Sequence, residues 1–157
     1  MRASALARTI LILLVSSQLR AAPLDDAKRL FEERRLPQAR AAFEALARSG
    51  PARAEATFYL GRIEYVLDQS EKAAKLFEKA AELDPKNARY RFWAGRMYGD
   101  MAQHANPIRA ASLAKKVQHA FEEAVRLDPK YLDPRIGLVD FYQMAPGIMG
   151  GSEQKAK

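Results

Sequence analysis

Residues 54–87, AEATFYLGRIEYVLDQSEKAAKLFEKAAELDPKN, determine the fold of this chain. In the second half of the stretch, apolar residues recur at three- and four-residue steps, and charged residues occupy most of the other positions. The apolar residues are Leu76, Phe77, Ala80 and Leu83. This spacing predicts an amphipathic helix, with a capping box formed by Asp68 and Glu71 at its start and Pro85 at its end. The first half of the stretch predicts another helix, so the whole stretch is expected to form a helix, a turn and a second helix.

The spacing of small and aromatic residues in this stretch recurs elsewhere in the chain. Ala39, Phe43 and Pro51 precede Ala73, Phe77 and Pro85 by one constant interval, and Phe121, Ala124 and Pro129 follow Phe77, Ala80 and Pro85 at a constant, longer interval. A single helix pair cannot bury its apolar stripe alone, so we expect the pairs to stack on one another. The shorter interval is about 34 residues, and a helix-turn-helix period of this length is the signature of tetratricopeptide repeats.

The chain resembles the tetratricopeptide repeat (TPR) family from residue 22 onward. In residues 54–87 six signature places match, namely Leu60, Gly61, Ala73, Phe77, Ala80 and Pro85. Thr57 and Glu64 depart from the signature, because a large residue such as tryptophan and a tyrosine are usual there. The resemblance implies an all-α, TPR-type helix-turn-helix solenoid, a right-handed superhelix of antiparallel helix pairs. We place pairs at about residues 22–53, 54–87 and 88–131, with an incomplete pair at 132–157.

The first residues have the pattern of a secretory signal peptide. Arg2 and Arg8 precede a short apolar core at residues 9–15, and small residues follow at Ala21 and Ala22. This core is short for a membrane span, although an uncleaved anchor is the alternative. We therefore predict a signal peptide at residues 1–21, no membrane span after its removal, and a bacterial periplasmic or secreted location.

The composition is that of a helical protein without covalent cross-links. Of the 157 residues 48% are apolar and 29% are charged, and cysteine is absent, so the core alone must hold the exported chain together. Loss of Arg2, Arg8 and Arg20 with the signal lowers the net charge from +7 to +4. Basic residues alternate with acidic ones along the helices, which argues against nucleic-acid binding and for solvated helix faces.

The third pair departs from the regular period. Asn106 followed by Pro107 predicts a capped start for an unusually long helix that runs to Leu127. The additional residues of the third pair lie between Tyr98 and Phe121, so we expect this helix to project past its neighbours.

The fourth pair is predicted to be incomplete. Each complete pair places a phenylalanine four residues after Ala39, Ala73 or Val117, whereas Ala156 stands at the corresponding place of the fourth pair. Only about one turn of a second helix remains, and such a short helix is marginal in water. We therefore expect the chain to be a fragment, or a gene interrupted within a repeat, that leaves side chains of the last long helix partly uncovered. They are Ile136, Val139 and Phe141.

A second resemblance is carried by the sequence Ala-Pro-Gly-Ile-Met-Gly-Gly at residues 145–151. Together with the long third pair, it resembles a group of bacterial exported TPR proteins that share an Ala-Pro-Gly-x-x-Gly-Gly loop and have no assigned activity. A phosphate-binding role is disfavoured, since the glycines follow a helix and Ser152-Glu153 replaces the lysine and hydroxyl of a P-loop. The loop is predicted to be a turn against the core.

No constellation of residues predicts catalysis, a metal or a cofactor. His104 and His119 are the only histidines, and neither has a second ligand at metal spacing. Without cysteine or a serine near a histidine and an acid, a nucleophilic triad has no starting point. We therefore predict that the chain is not an enzyme.

The remaining candidate site is the concave surface that the first helix of each pair lines in TPR arrays, where peptides bind. The predicted groove residues are Phe58, Arg62, Tyr65, Arg89, Phe92 and Arg96. Phe58 with Phe92, and Arg62 with Arg96, are separated by one repeat period and predict an aromatic and a cationic ladder on exposed stripes. The alternative is that the arginines only solubilise the groove floor. Phe58 and Arg62 replace the lysine and asparagine of the chaperone-binding carboxylate clamp, so that specificity is not implied.

Two functions follow from these predictions. The first is an exported interaction module or scaffold that binds a partner protein or peptide, an acidic one included, in the groove. The second is the non-catalytic TPR part of a larger exported enzyme or envelope assembly, truncated here. A stable complex with the isolated mature chain would favour the first, and a reading frame that continues into a non-repeat domain would favour the second.

Overall fold

The structure is a computed structural model that describes residues 23–145 and 151–156. Its elements in this part of the chain are α1 (residues 23–32), α2 (Leu36–Ala47), α3 (Arg53–Val66), α4 (Ser70–Leu83), α5 (Ala88–Gln103), α6 (Pro107–Leu127), α7 (Leu132–Met144) and α8 (Glu153–Ala156). The predicted signal peptide lies outside the described residues, as does most of the glycine-rich loop. No helix among the described residues is both long and apolar enough to cross a membrane.

Consecutive helices pack on one another in antiparallel pairs, and each pair packs on the next. The most extensive contact joins α5 to α6, and α4 connects the second pair to the third by packing on both α3 and α5. The buried side chains form two apolar clusters along this stack, one around α1, α2 and α3 and the other around α3 to α6. The all-α solenoid predicted from the repeat is confirmed.

The repeated glycine and phenylalanine of the sequence form the closest contact within each pair. A Cβ atom on Gly61 would lie 2.7 Å from the ring of Phe77, and one on Gly95 would lie 2.6 Å from the ring of Phe121. Both rings are buried, and each lies directly against the backbone of the first helix of its pair. The glycines are therefore needed because any side chain would separate the two helices.

The two departures from the family signature are buried polar residues with local partners. The Thr57 hydroxyl donates a hydrogen bond of 2.8 Å to the carbonyl of Arg53, one turn earlier in α3. The Glu64 carboxylate, buried at the other end of α3, forms an ion pair of 2.6 Å with Arg40 of α2. A buried carboxylate is tolerated when a cation and a hydrogen bond compensate it. The Arg40–Glu64 pair thus links the first helix pair to the second.

One of the two predicted helix caps is confirmed and the other is wrong. The Asn106 side chain accepts a hydrogen bond of 3.0 Å from the backbone N–H of Arg109, at the start of the long helix α6. The predicted capping box is absent, because Gln69 is the residue before α4 and no side chain caps that helix. Asp68 has a left-handed backbone conformation with φ of 58°, whereas an N-cap residue needs an extended one.

The last long helix, α7, has less cover than its predecessors. Ile136 is 58% exposed and Val139 is 37% exposed, so the prediction that they are partly uncovered is confirmed, while Phe141 is half-buried. Phe92 and Gly95 hold the equivalent repeat positions in the third pair, and both are buried. In the part of the chain that the structure describes, α7 packs on α6 and on the short helix α8.

Candidate binding face

Four basic or acidic residues mark the same repeat position on the first helices of the four pairs. They are Lys28, Arg62, Arg96 and Asp140 of α1, α3, α5 and α7. Lys28 is neutralised by an ion pair of 2.7 Å with Glu55. In contrast, neither Arg62 nor Arg96 forms an ion pair with any described residue. At this repeat position, the positive charge without an ion pair to a described residue therefore lies on α3 and α5.

Arg62 and Arg96 lie on either side of the same aromatic residue. The guanidinium carbon of Arg62 is 4.4 Å from the centroid of the Trp93 ring, and that of Arg96 is 4.8 Å from the same centroid. Arg96 also donates a long hydrogen bond of 3.5 Å to the Tyr65 hydroxyl. Trp93 contacts Tyr65 edge to face, with 5.4 Å between the centroids. Cation–π contacts at this distance orient both cations without neutralising them.

Arg89, at the start of α5, adds a third cation to this face. Its guanidinium lies 4.2 Å from the Phe58 ring centroid. Partial burial lowers the pKa of Arg62, and the like charges of Arg89 and Arg96 act in the same direction. Burial raises the pKa of Tyr131, with the carboxylate of Asp133 adding to the rise, to about 12, although Arg89 and Arg96 oppose it. We define the arginine face as Arg62, Arg89, Arg96 and Trp93.

One hydrogen-bond donor of the arginine face, on Arg62, is not used within the described residues. The Nε atom of Arg62 is buried and has no hydrogen-bond partner there. A buried donor without an acceptor costs free energy, on the order of 1–3 kcal/mol. An incoming carboxylate next to the guanidinium groups would reduce the repulsion among the three cations.

The prediction that Phe58 and Phe92 form an exposed aromatic ladder is wrong. Phe58 is fully buried and Phe92 is 7% exposed, and both belong to the core that spans α3 to α6. The physical reason is that α3 and α5 are each flanked by two helices, so their buried sectors are wider than one stripe. Phe58 stacks on Tyr90 of α5, with 5.0 Å between the ring centroids.

The aromatic residues of the groove side are Tyr59 and Trp93, one position further along each helix. Both are half-buried, and they are separated by one repeat period, like the predicted pair. Arg89, Trp93 and Arg96 follow the same four- and three-residue steps of a helix face as Arg89, Phe92 and Arg96 do. The spacing alone could not distinguish the stripe that contains Phe92 from the stripe that contains Trp93. The single tryptophan of the sequence was a signal for the less buried of the two stripes.

A cavity of about 630 Å³ opens next to the arginine face, between α5 and α7. Arg96 and Tyr65 line one side, Asp140 and Met144 the other, and Val117 and Phe121 of α6 are among the residues at its base. Two glycines, Gly99 of α5 and Gly137 of α7, also line it. The predicted groove residues Tyr65 and Arg96 thus belong both to the groove and to this cavity, which sequence reasoning did not find.

The titratable side chains of the described part of the chain are dispersed over the helices. Within residues 23–145 and 151–156, no three histidine or acidic side chains lie close enough together to hold a metal ion. His104 and His119 are both exposed, the first after α5 and the second on α6. The described helices form an all-α stack of helix pairs, a solenoid class of fold, that presents basic and aromatic side chains along α3 and α5.

Comparisons with known proteins agree with this class. A tetratricopeptide repeat family model matches residues 24–88 and 65–99. The fold is similar to the crystal structure of a thermophilic TPR protein from Thermus thermophilus, with a TM-score of 0.66 and 19% sequence identity. The similarity covers 78% of this chain and 63% of that one. No curated protein matches significantly. The family model covers just under half of the chain, and the structural similarity shows that the chain has the same fold as this TPR protein.

Proposed function

We propose that this chain is an exported interaction module that binds a partner protein or peptide in the groove formed by α1, α3, α5 and α7. The observation that carries the proposal is the arginine face, where Arg62, Arg89 and Arg96 contact aromatic rings and form no ion pair with a described residue. Arginine and aromatic side chains are the types that contribute most to binding at protein interfaces.

The charge of the groove favours an acidic partner segment. Some basic side chains elsewhere are neutralised, such as Lys28 by Glu55 and Arg109 by Glu71, whereas others without an ion pair to a described residue, such as Lys72 and Lys75, are dispersed on exposed helix faces. The arginine face, by contrast, gathers three cations around one half-buried position, so an anion placed there would be attracted by all of them. A carboxylate would form charge-assisted hydrogen bonds with the guanidinium groups, which are about twice as strong as neutral ones.

The proposal is tested by removing the two arginines that contact Trp93. We expect the double variant Arg62→Ala, Arg96→Ala to weaken the partner complex by about 1–3 kcal/mol, because it loses charge-assisted hydrogen bonds to the partner. The partner would be captured from the envelope of the exporting cell with a photo-crosslinking residue at position 65, and its affinity would be measured by calorimetry.

The matched control removes two positive charges from another surface. Lys72 and Lys75 of α4 are exposed, so Lys72→Ala, Lys75→Ala alters the net charge equally without touching the groove. We expect this control to bind normally, and both variants to keep their helical circular dichroism. Equal affinity of the two variants for the partner would reduce the arginines to solubilising residues.

Export is proposed on the charged start, the short apolar core and the small residues at positions 21 and 22. The Ala-Pro-Gly-x-x-Gly-Gly loop, which resembles that of exported TPR proteins, supports the same compartment. In a bacterial host with a general secretion pathway, the periplasmic product should begin at Ala22 or within a few residues of it. Amino-terminal sequencing that returned Met1 from a membrane-bound product would indicate an anchor instead.

A further inference from the structure

Two neighbouring contacts of the solenoid use the same repeat positions in different ways. Between α3 and α5, Tyr65 and Trp93 fill the space, with 5.4 Å between their ring centroids. Between α5 and α7, the residues at the same repeat positions are glycines, because Gly99 is the counterpart of Tyr65 and Gly137 is the counterpart of Trp93. The ring of Phe121 lies against Gly137, where a Cβ atom would be 2.7 Å from it, whereas Gly99 borders open space, and the cavity of about 630 Å³ lies beside both glycines.

We propose that this cavity receives an aromatic side chain of the bound partner, with an acidic residue of the partner next to it on the arginine face. The inference rests on the proposed function, since it names the chemistry of the segment that the groove binds. The repeat itself supplies the template: the ring of Trp93 occupies the first contact, and a ring supplied by the partner occupies the second.

The position of Arg96 supports an aromatic occupant. Arg62 and Arg96 hold the same repeat position, and the Arg62 guanidinium lies 4.4 Å from the centroid of the ring in the first contact. Arg96 lines the second contact, with an exposed side chain that borders the cavity. A ring placed in the cavity would therefore meet Arg96 as Trp93 meets Arg62, and cation–π attraction favours such an arrangement.

The walls and the size of the cavity fit this occupant. The base is apolar, formed by Val117 and Phe121 together with the small residues Ala110 and Ala114 of α6. The volume lies within the range of about 300–1,000 Å³ that is usual for ligand sites, and it exceeds what one aromatic side chain needs. The aromatic ring would gain buried area against this base, and the polar side chains that also line the cavity, Arg96, Asp100, Gln103 and Asp140, leave an amphipathic ring its polar contacts.

The charges at the two rims give the bound segment a direction. Arg96 and Asp100 border the cavity on the α5 side, where the Asp100 carboxylate already accepts a hydrogen bond from Ser70, and Asp140, at the same repeat position as Arg96, borders it on the α7 side. The acidic residue of the partner therefore lies on the α3 and α5 side of the aromatic residue, and a basic or neutral residue lies toward α7. This order distinguishes the proposed segment from one that binds through negative charge alone.

Synthetic peptides test the proposal directly, with Trp93 as the reporter. It is the only tryptophan of the chain, and it contacts Arg96 at the edge of the cavity, so its fluorescence should respond to occupancy. The probes are capped peptides in which glutamate and phenylalanine are separated by zero to three glycines, in both orders. We expect one order and spacing to bind, and replacement of its phenylalanine by alanine, or of its glutamate by glutamine, to weaken binding about tenfold or more.

A variant that restores the repeat's own residue tests the location. Gly99→Tyr places a tyrosine where α3 carries Tyr65, and it fills the cavity from the α5 side. A Cβ atom at this position would meet only Val117, at an ordinary distance of 3.9 Å, so the variant should fold. Ser112→Tyr adds the same side chain at an exposed position of α6 and serves as the control.

We expect Gly99→Tyr to abolish peptide binding while its thermal unfolding temperature equals or exceeds that of the unchanged chain, and Ser112→Tyr to bind normally. The proposal is overturned if no peptide binds below about 1 mM, or if the best peptide binds Gly99→Tyr unchanged. A markedly lower unfolding temperature of Gly99→Tyr would also overturn it, by showing that residues of the chain itself fill the cavity.

These outcomes are separable from failure of the proposed function. If the photo-crosslinker at position 65 captures a partner whose affinity is unaffected by Gly99→Tyr, the groove binds a partner but the aromatic site is wrong. If no groove position yields a crosslinked partner, the interaction module itself is rejected.

Discussion

The contact between α3 and α5 and the contact between α5 and α7 are built from the same repeat, yet one is closed and the other is open. In the first, Trp93 packs between Tyr65, Phe58 and Phe77, with centroid distances of 5.4 to 6.1 Å. In the second, glycines stand at the places of Tyr65 and Trp93, and a cavity remains. The glycine at position 99, in the place of Tyr65, thus leaves a cavity open, whereas Phe121 packs against Gly137 in the place of Trp93.

The two glycines of α5 have different structural roles. Gly95 is required for packing, because the Phe121 ring lies against it, whereas Gly99 borders open space. One glycine therefore holds the pair together, and the other, a single turn later in the same helix, leaves room beside it. Substitutions of Gly95 and of Gly99 should therefore change the free energy of unfolding in opposite directions.

The largest effect is expected from opening the closed contact. Trp93→Ala removes a half-buried ring from the middle of the arginine face and the adjacent core, and we expect it to lower the free energy of unfolding by about 3 kcal/mol. Met144→Ala, at an 82% exposed residue that lines the cavity, should change it by less than about 0.5 kcal/mol. Urea unfolding followed by circular dichroism measures both. Similar losses in the two variants would show that the two contacts are equally closed.

A smaller effect, with opposite signs at two positions, is expected within α5. Gly99→Ala should raise the free energy of unfolding by about 0.5–1 kcal/mol, because alanine is a better helix former and its Cβ meets no close neighbour. Gly95→Ala should lower it by about 1–2 kcal/mol, since its Cβ would lie 2.6 Å from the Phe121 ring. If both substitutions stabilised the chain, the Gly95–Phe121 contact could not be as tight as the structure shows.

Much of the fold was predictable because it depends on local spacing. The repeat period, the stripe of Phe77 and Ala80, and the Asn106 cap are all patterns that can be recognised along the chain itself. The capping box at Asp68 failed, although its sequence pattern was present, because the turn after α3 places that residue in a left-handed conformation. The sequence pattern could not predict this conformation, because the turn depends on how α4 packs against α3.

The site was predicted only in part, and the physical reason is the width of the buried sector. Arg62, Arg89 and Arg96 lie close enough for their charges to interact, and their role in binding stays a prediction. Phe58 and Phe92 were assigned to the same face because helical spacing admits two neighbouring stripes. Which stripe is buried depends on the second flanking helix, and a single helix pattern contains no information about that neighbour.

The sequence by itself determined the helix pairs, their order, the recurrence of glycine and phenylalanine within them and the basic character of α3 and α5, because these follow from periodicity, residue size and charge. The tertiary structure alone decided that Trp93 is shared by two arginines, that Phe58 is fully buried, and that a cavity remains between α5 and α7. Each of these depends on residues of different helix pairs, which meet only when the pairs stack. Contacts of that kind are set by packing between helices, which the spacing within one helix does not determine.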